Sequence, residues 1–239
     1  SLSKVKSNAL QKSAFLKNRQ LLKPKEGISY KKLEFISENR IKRMNQWINS
    51  FPSYQDMMIT IDGILSDLSF GVDSDKFEKA LYQVGEMIGF LSERPDKEYK
   101  KGPDNLWCGV DNHYFLFECK SEVDENRAEI NKHEAGQMNT HCGWFEEEYG
   151  EVPVNNILII PLKKLSYNAN FTHNVEIMRK NKLISFKSNI KAFFKELKNY
   201  KIHELSDEKF QEFINNHKLD IQSLKSEYTE KYIQTRSFN

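Results

Sequence analysis

The chain has 239 residues, of which 38% are hydrophobic and 29% are charged, with 16 Phe, 10 Tyr and 3 Trp. This composition supports one sizeable hydrophobic core, or one core with a small helical appendage. No apolar run approaches the roughly 18 residues that a membrane-spanning helix needs, so we expect no membrane partner. The 3 cysteines lack the paired spacing of a disulfide scaffold, and we therefore expect reduced thiols and a cytoplasmic protein.

Charge is distributed unevenly along the chain. Residues 1–50 contain 12 Lys and Arg against 3 Glu, whereas the remaining residues carry more acidic than basic groups. A basic arm ahead of a mildly acidic body predicts contact with an anionic polymer, although an ordinary lysine-rich amphipathic helix has the same composition. Because the first residue is not Met, we also expect this chain to be a piece of a longer polypeptide.

The first 70 residues are predicted to form a basic helical extension. Breaks near Pro24 and Gly27 predict short helices rather than one long helix. A second apolar segment, from Met57 to Phe70, predicts a further helix that ends at Gly71.

The next helix has a clear start signal and a clear stop signal. Asp73 and Asp75 provide side chains that cap a helix start, and Pro95 follows the last apolar residues. We predict a helix of about four turns that reaches Phe90. Its apolar residues recur at helical spacing at Phe77, Leu81, Val84, Ile88 and Leu91.

The middle of the chain predicts a sheet with helices around it. A hairpin over residues 105–120, with its turn at residues 111–112, precedes a helix over about residues 127–149. The apolar run of residues 156–161 then predicts a central buried strand. The chain after Tyr167 is predicted to be mostly helical. The fold class is therefore α/β, with a central mixed sheet and helical extensions at both termini.

Two ionic side chains emerge together near the end of the second hairpin strand. Tyr114 to Phe117 is an aromatic and apolar run, as expected of a buried strand, and Glu118 and Lys120 follow it. Side chains of a strand alternate between faces, so Glu118 and Lys120 share one face while Cys119 points the other way. The hairpin also brings Asp104 back beside Glu118.

This set of residues has the chemistry of a metal-dependent phosphodiesterase. Mg²⁺ prefers hard oxygen ligands, such as the carboxylates of Asp104 and Glu118. A cation such as Lys120 can steady the charge that develops on the phosphate. The backbone carbonyl of Cys119 is predicted as a further metal ligand. An isolated Glu-X-Lys on a strand is weak evidence, and the combination with Pro103-Asp104 and the hairpin decides the interpretation.

These motifs resemble those of the PD-(D/E)XK superfamily, the restriction-endonuclease-like nucleases. Pro103-Asp104 matches the leading pair, and Glu118-Cys119-Lys120 matches the second element. The wider sequence around them resembles nuclease domains at the C-termini of bacterial DEAD/DEAH-type helicases. The resemblance covers about residues 75–165, and it implies a restriction-endonuclease-like core over residues 71–165 between the extensions 1–70 and 166–239.

The resemblance implies a function as well as a fold. Asp104 and Glu118 would bind Mg²⁺, with Mn²⁺ as a substitute, and Lys120 would activate water or stabilise the transition state. The reaction would be hydrolysis of DNA phosphodiester bonds, with RNA not excluded. A helicase or ATPase domain in the same polypeptide and a homodimer are implied partners. The alternative is a catalytically silent nuclease-like fold that binds nucleic acid or protein.

Three further residues are candidates with open roles. Superfamily members often carry an acidic residue on the first helix, and Glu78 matches that position, although it could equally cap the helix together with Asp75. Gln137 matches a glutamine found on the helix after the second motif. The aromatic residue that follows this glutamine in the family is replaced here by His141, whose role the sequence leaves open.

Overall fold

The structure is a computed structural model, and it describes residues 2–18, 30–34, 40–109, 113–200 and 205–236. It contains two compact units, residues 1–31 and 32–239. The first unit contains helix α1 (Leu2–Lys17), in agreement with the helical start predicted for the chain. The predicted breaks near Pro24 and Gly27 and the predicted hairpin turn at residues 111–112 lie outside the described residues.

The second unit is built around a five-stranded mixed sheet with the strand order β1-β2-β3-β4-β6. The pairs β1–β2 and β2–β3 are antiparallel, whereas β3–β4 and β4–β6 are parallel. The predicted α/β class, hairpin and central mixed sheet are thereby confirmed. The strands are β1 (Leu91–Glu93), β2 (Asn105–Cys108), β3 (Tyr114–Cys119), β4 (Val154–Ile159) and β6 (Val175–Met178), with β5 (Lys164–Leu165) and β7 (Ile233–Gln234) forming a separate pair.

Helices cover both faces of the sheet, because the residues of its three central strands alternate between two apolar clusters. Phe115 and Phe117 of β3 enter a cluster that also contains apolar side chains of four helices, and of two further helices from the C-terminal part of the chain. Leu116 of β3 enters a second cluster, which contains Met138 from a helix on the opposite face. The first group of helices comprises α2 (Arg40–Asn49), α3 (Tyr54–Asp67), α4 (Ser74–Met87) and α7 (Lys180–Leu197), and the helix of the second cluster is α6 (Lys132–Tyr149).

Three shorter helices complete the described elements of the second unit. Phe210 and Phe213 join the first cluster from the C-terminal part of the chain, and each is almost fully buried. Burying a Phe side chain contributes about 1.5–3 kcal/mol. These helices are α5 (Pro95–Tyr99), α8 (Asp207–Asn216) and α9 (Ile221–Ser226).

Three predicted helices have different boundaries in the structure. Helix α3 spans Tyr54–Asp67 rather than residues 57–70. Helix α4 ends at Met87 rather than Phe90, because the chain turns at Gly89 with φ +85° and then enters the sheet as β1. Helix α6 begins at Lys132 rather than near residue 127. Asn131 caps its start by accepting a hydrogen bond from the Glu134 N–H, while the Glu134 side chain accepts one from the Asn131 N–H.

The C-terminal third contains the predicted helices, α7, α8 and α9, and also two strands that the sequence did not predict. Strand β6 pairs with β4 in the main sheet, and β7 pairs with β5. The sequence did not predict β6, because this strand has only 4 residues and its stability comes from pairing and burial against β4. Such tertiary pairing leaves little signal in a short sequence window.

Helices α2 and α3 pack in the same cluster as α4. The division into residues 1–70, 71–165 and 166–239 stays a prediction, because packing delimits compact units rather than functional domains. Among the ranges that the structure describes, no helix combines the length and apolar character needed to cross a bilayer.

Candidate active site

Asp104 lies in a bend directly before β2, one residue ahead of the predicted hairpin. The Cys119 N–H donates a hydrogen bond to Asp104 Oδ2 at 2.7 Å. Asn105 pairs with Phe117 in the antiparallel register, so Asp104 is carried to the end of β3 where Glu118 lies. The hairpin therefore brings Asp104 and Glu118, the two predicted metal-binding carboxylates, to the same end of the sheet.

Glu118 is 1% exposed and lies between two basic groups. Lys120 Nζ is 2.7 Å from Glu118 Oε1, and His141 Nδ1 is 2.5 Å from Glu118 Oε2. The second contact is an ion pair rather than a hydrogen bond, because neither Oε2 nor Nδ1 makes a hydrogen bond of good geometry in the described residues. Both oxygens of this buried carboxylate thus have a cationic neighbour when His141 is protonated.

The two motif carboxylates have opposite pKa shifts. Burial, followed by repulsion from Glu118 and Glu78, raises the pKa of Asp104 from 3.8 to about 8. Burial alone would also raise the pKa of Glu118, but the contacts with His141 and Lys120 outweigh it, so this pKa lies below its ordinary value. Glu118 is therefore kept ionised, while the metal-free protein holds a proton on Asp104 at neutral pH.

Both basic neighbours of Glu118 have raised pKa values, which favours their charged forms. Burial lowers the pKa of Lys120, but the adjacent Glu118 carboxylate raises it by more, so the net shift is upward. Burial also lowers the pKa of His141, and the contact with Glu118 again outweighs it, so this pKa is raised. The sequence left the role of His141 open, and the structure makes it a direct neighbour of Glu118.

Glu78 belongs to the same group of charges. It lies near the start of α4, and Arg94 Nη2 donates a hydrogen bond to Glu78 Oε2 at 2.5 Å. Burial raises the pKa of Glu78 despite this Arg94 contact. The capping interpretation of Glu78 with Asp75 was wrong, because the α4 cap is Asp73, whose side chain accepts a hydrogen bond from the Lys76 N–H.

A surface cavity of about 380 Å³ lies at this end of the sheet. Asp104, Glu78 and Lys120 all line it, and Glu122 adds a third carboxyl group beside the one ammonium group. Glu118 and His141 are not among its lining residues. The remaining residues that line the cavity are Ser74, Cys119, Ser121 and Val123.

Cys119 and Gln137 are placed differently with respect to the cavity. Cys119 lines it, while its side chain packs in the core beside Phe117, as the alternation of faces predicts. The metal-binding role of the Cys119 carbonyl stays a prediction. Gln137 is half-buried on α6, one turn before His141, and does not line the cavity.

The donor set can be tested against the needs of Mg²⁺. Within the described ranges, no three side chains of His, Cys, Asp or Glu form a group that could hold a metal ion. Mg²⁺ needs fewer protein ligands, because it keeps several waters and is bound through one or two carboxylates together with substrate phosphates. Burial is the main cause of the raised pKa of Asp104, and repulsion from Glu118 and Glu78 adds to it. A divalent cation would neutralise the negative potential that these two carboxylates create. The residues present therefore fit Mg²⁺.

Sequence reasoning gave no role to two residues that contact Glu78. Arg94 reaches its side chain, and the Asn105 side-chain amide donates to its backbone carbonyl at 3.0 Å. Both contacts depend on how β1, β2 and α4 pack, and neither has a spacing signature in the sequence.

Comparison with protein-family models, with curated proteins and with solved structures finds no match for this chain. The functional interpretation of the site therefore depends on its own geometry and chemistry. Membership of the nuclease superfamily stays a proposal based on the residues of the two motifs.

Proposed function

We propose that the protein is a Mg²⁺-dependent nuclease that hydrolyses DNA phosphodiester bonds. One observation carries the proposal: Asp104, Glu78 and Lys120 line one cavity at the end of β3, and Lys120 also pairs with buried Glu118 at 2.7 Å. A cavity that combines carboxylates with a protonated amine suits a divalent cation and a phosphate group at the same time.

Asp104 and Glu118 would hold the metal, together with the carbonyl of Cys119. When bound, Mg²⁺ supplies Lewis acidity and lowers the pKa of its bound water. The protein's own contribution is positional and electrostatic. The Cys119 N–H fixes one oxygen of Asp104, which leaves the other without a hydrogen-bond partner among the described residues.

Lys120 is the group proposed to contact the substrate. Its raised pKa keeps the amine charged at neutral pH, and the side chain lines the cavity. A cation at this point stabilises negative charge that develops on the phosphate. Its contact with Glu118 orients the amine before substrate arrives, because Glu118 is itself buried and held by His141.

The proposal also covers the nucleic acid that is cleaved, the metal and the context of the protein. A phosphodiester presents the same anionic group in DNA and RNA, so the site favours neither, and Mn²⁺ is expected to substitute for Mg²⁺. The helicase-associated context, the homodimer and the cytoplasmic location belong to the proposal as well.

Cleavage of linear, circular and single-stranded DNA with Mg²⁺ or Mn²⁺ tests the proposal. Activity should need the metal and should be lost in Asp104→Ala and Lys120→Ala. Lys101→Ala is the matched control, since Lys101 is exposed and lies close to Asp104 in the sequence. Cleavage that persists in both site variants at the wild-type rate would refute the assignment.

A second candidate is a nuclease-like fold that binds nucleic acid or protein without turnover. The favouring observation is that both oxygens of Glu118 are within 2.7 Å of a basic group. Such a carboxylate must give up one contact before it binds a metal. Calorimetric titration with Mg²⁺ and Mn²⁺ separates the candidates, because a silent fold needs no metal affinity that depends on Asp104.

A further inference from the structure

Two buried polar residues hold Glu78 from different directions. Arg94, which is 8% exposed, donates from Nη2 to Glu78 Oε2 at 2.5 Å. Asn105, which is fully buried, donates from Nδ2 to the Glu78 carbonyl oxygen at 3.0 Å. One contact fixes the side chain of Glu78, and the other fixes its backbone.

These two residues are energetically unfavourable choices if they serve only to fill space. Within the described residues, Arg94 Nε and Asn105 Oδ1 are buried and have no hydrogen-bond partner. Burial of polar atoms without partners destabilises a fold, and well-packed apolar residues often replace buried ionic groups without loss of stability. A role in placing Glu78 accounts for both residues.

The contacts connect Glu78 to Asp104. Asn105 directly follows Asp104 in the chain, so its amide ties the segment that carries Asp104 to the backbone of α4 at Glu78. Arg94 bonds only one oxygen of Glu78, and Oε1 makes no hydrogen bond among the described residues. Arg94 also bonds Asp75 at 2.8 Å, which anchors its guanidinium to α4.

We infer that Arg94 and Asn105 are positioning residues that hold Glu78 beside Asp104, so that the cavity presents both carboxylates to one divalent cation. This inference rests on the proposed nuclease function. Neither residue touches the metal or the substrate. Both act through Glu78, because their hydrogen bonds set where its free oxygen lies relative to the Asp104 carboxylate.

The test measures the Mn²⁺ affinity of Arg94→Gln, Arg94→Lys and Lys97→Gln by calorimetric titration without DNA. The Mn²⁺ dependence of DNA cleavage is measured on the same variants. Residues that orient metal ligands typically change metal affinity 10–100-fold, so Arg94→Gln should raise the half-saturating Mn²⁺ concentration about 10-fold, with the rate at saturating Mn²⁺ largely kept. Arg94→Lys should recover part of this change. Lys97→Gln is the control, since Lys97 pairs with Asp75 at 2.8 Å but does not contact Glu78.

A double-mutant cycle distinguishes positioning from a general structural effect. If Arg94 acts through Glu78, Arg94→Gln should cause no further rise in the half-saturating Mn²⁺ concentration once Glu78→Gln is present. Asn105→Leu, which removes the amide but keeps the volume, should behave like Arg94→Gln. Should Arg94→Gln fail to fold, Arg94→Lys and Asn105→Leu carry the same comparison.

The outcomes separate the inference from the function on which it rests. The inference is overturned if the wild type cleaves DNA and its half-saturating Mn²⁺ concentration is unchanged in Arg94→Gln, Asn105→Leu and Lys97→Gln. The nuclease proposal would then remain intact. Additive effects of Arg94→Gln and Glu78→Gln also overturn it. A wild type that cleaves no DNA with Mn²⁺ or Mg²⁺ refutes the proposed function itself.

Discussion

His141 Nδ1 lies 2.5 Å from Glu118 Oε2 and thereby joins the middle of α6 to the end of β3. Lys120 holds the other oxygen of Glu118, so one buried carboxylate links two basic side chains from different elements. The residue at position 141 replaces the aromatic that the resemblance led us to expect. An imidazole at this point keeps Glu118 ionised in a nearly solvent-free environment, as the lowered pKa of Glu118 indicates.

The first prediction concerns the contribution of His141 to stability. His141→Gln removes a basic neighbour of buried Glu118, and loss of such a charge-assisted contact typically costs about 1–3 kcal/mol of unfolding free energy. Urea unfolding at neutral pH measures the change. His133→Gln is the control, since His133 is exposed on the same helix. Equal stability of the two variants would show that the His141 contact contributes nothing.

The second prediction concerns stability and pH in the metal-free protein. The Asp104 pKa is about 8 when folded and 3.8 ordinarily, so the folded protein binds the extra proton between these values. The stability that this proton contributes is complete below pH 3.8 and is lost as pH rises to about 8. Asp104→Asn stays neutral throughout, so its unfolding free energy should fall less between pH 5 and 8, in EDTA, than that of the wild type.

Asp75→Asn provides the control for this pH series. Hydrogen bonds from Lys97 and then Arg94 lower the pKa of Asp75 to about 2, so its contribution changes only in more acidic solution. Its unfolding free energy should therefore follow the wild-type slope between pH 5 and 8. If Asp104→Asn follows that slope too, Asp104 does not hold a proton in the folded state.

The third prediction tests metal binding without any cleavage. A ligand that binds only the folded state stabilises it, by about 1.4 kcal/mol when free metal is at a tenfold excess over Kd. Mg²⁺ or Mn²⁺ should therefore raise the Tm of the wild type by several degrees, and the rise should be absent in Asp104→Asn and Glu118→Gln. For each protein, the Tm with metal is compared with its own Tm without metal, so a variant with a lower starting Tm can still be judged. An identical metal-induced rise in all three proteins would place the metal elsewhere.

The hairpin and the motif residues could be predicted because their signals are local. Tyr114 to Phe117 is a continuous apolar run, and the alternation of a strand then fixes the shared face of Glu118 and Lys120. The His141 contact could not be predicted, since it depends on how α6 packs over β3. The Arg94–Glu78 hydrogen bond likewise depends on the turn at Gly89 that ends α4 early.

The fourth prediction concerns the basic N-terminal segment. Residues 1–31 form a separate compact unit and contain 8 Lys and Arg against 1 Glu. Each phosphate that a cation neutralises adds about 0.9 to the slope of log affinity against log salt. Deletion of residues 1–31 should therefore flatten this slope for duplex DNA, measured by fluorescence anisotropy in EDTA so that cleavage cannot interfere. An unchanged slope would exclude this segment from DNA binding.

The fifth prediction concerns the turn that leads into Asp104. Gly102 has φ +81°, and a Cβ added there would lie 2.8 Å from the ring of Trp144 on α6. Gly71 has a similar φ of +88° but open space around it, so Gly71→Ala carries the backbone strain alone. Gly102→Ala should be less stable than Gly71→Ala by about 1–3 kcal/mol, because overpacking forces the ring or the turn to move.

The same pair of variants links this turn to the site. Relief of the clash at Gly102 would displace the segment that holds Asp104 against the Cys119 N–H, so DNA cleavage and the Mn²⁺-induced rise in Tm should both weaken in Gly102→Ala. Thermal unfolding with and without Mn²⁺ reports both effects in one experiment. Equal stability in Gly102→Ala and Gly71→Ala would mean that Trp144 yields freely, and Asp104 would then keep its position.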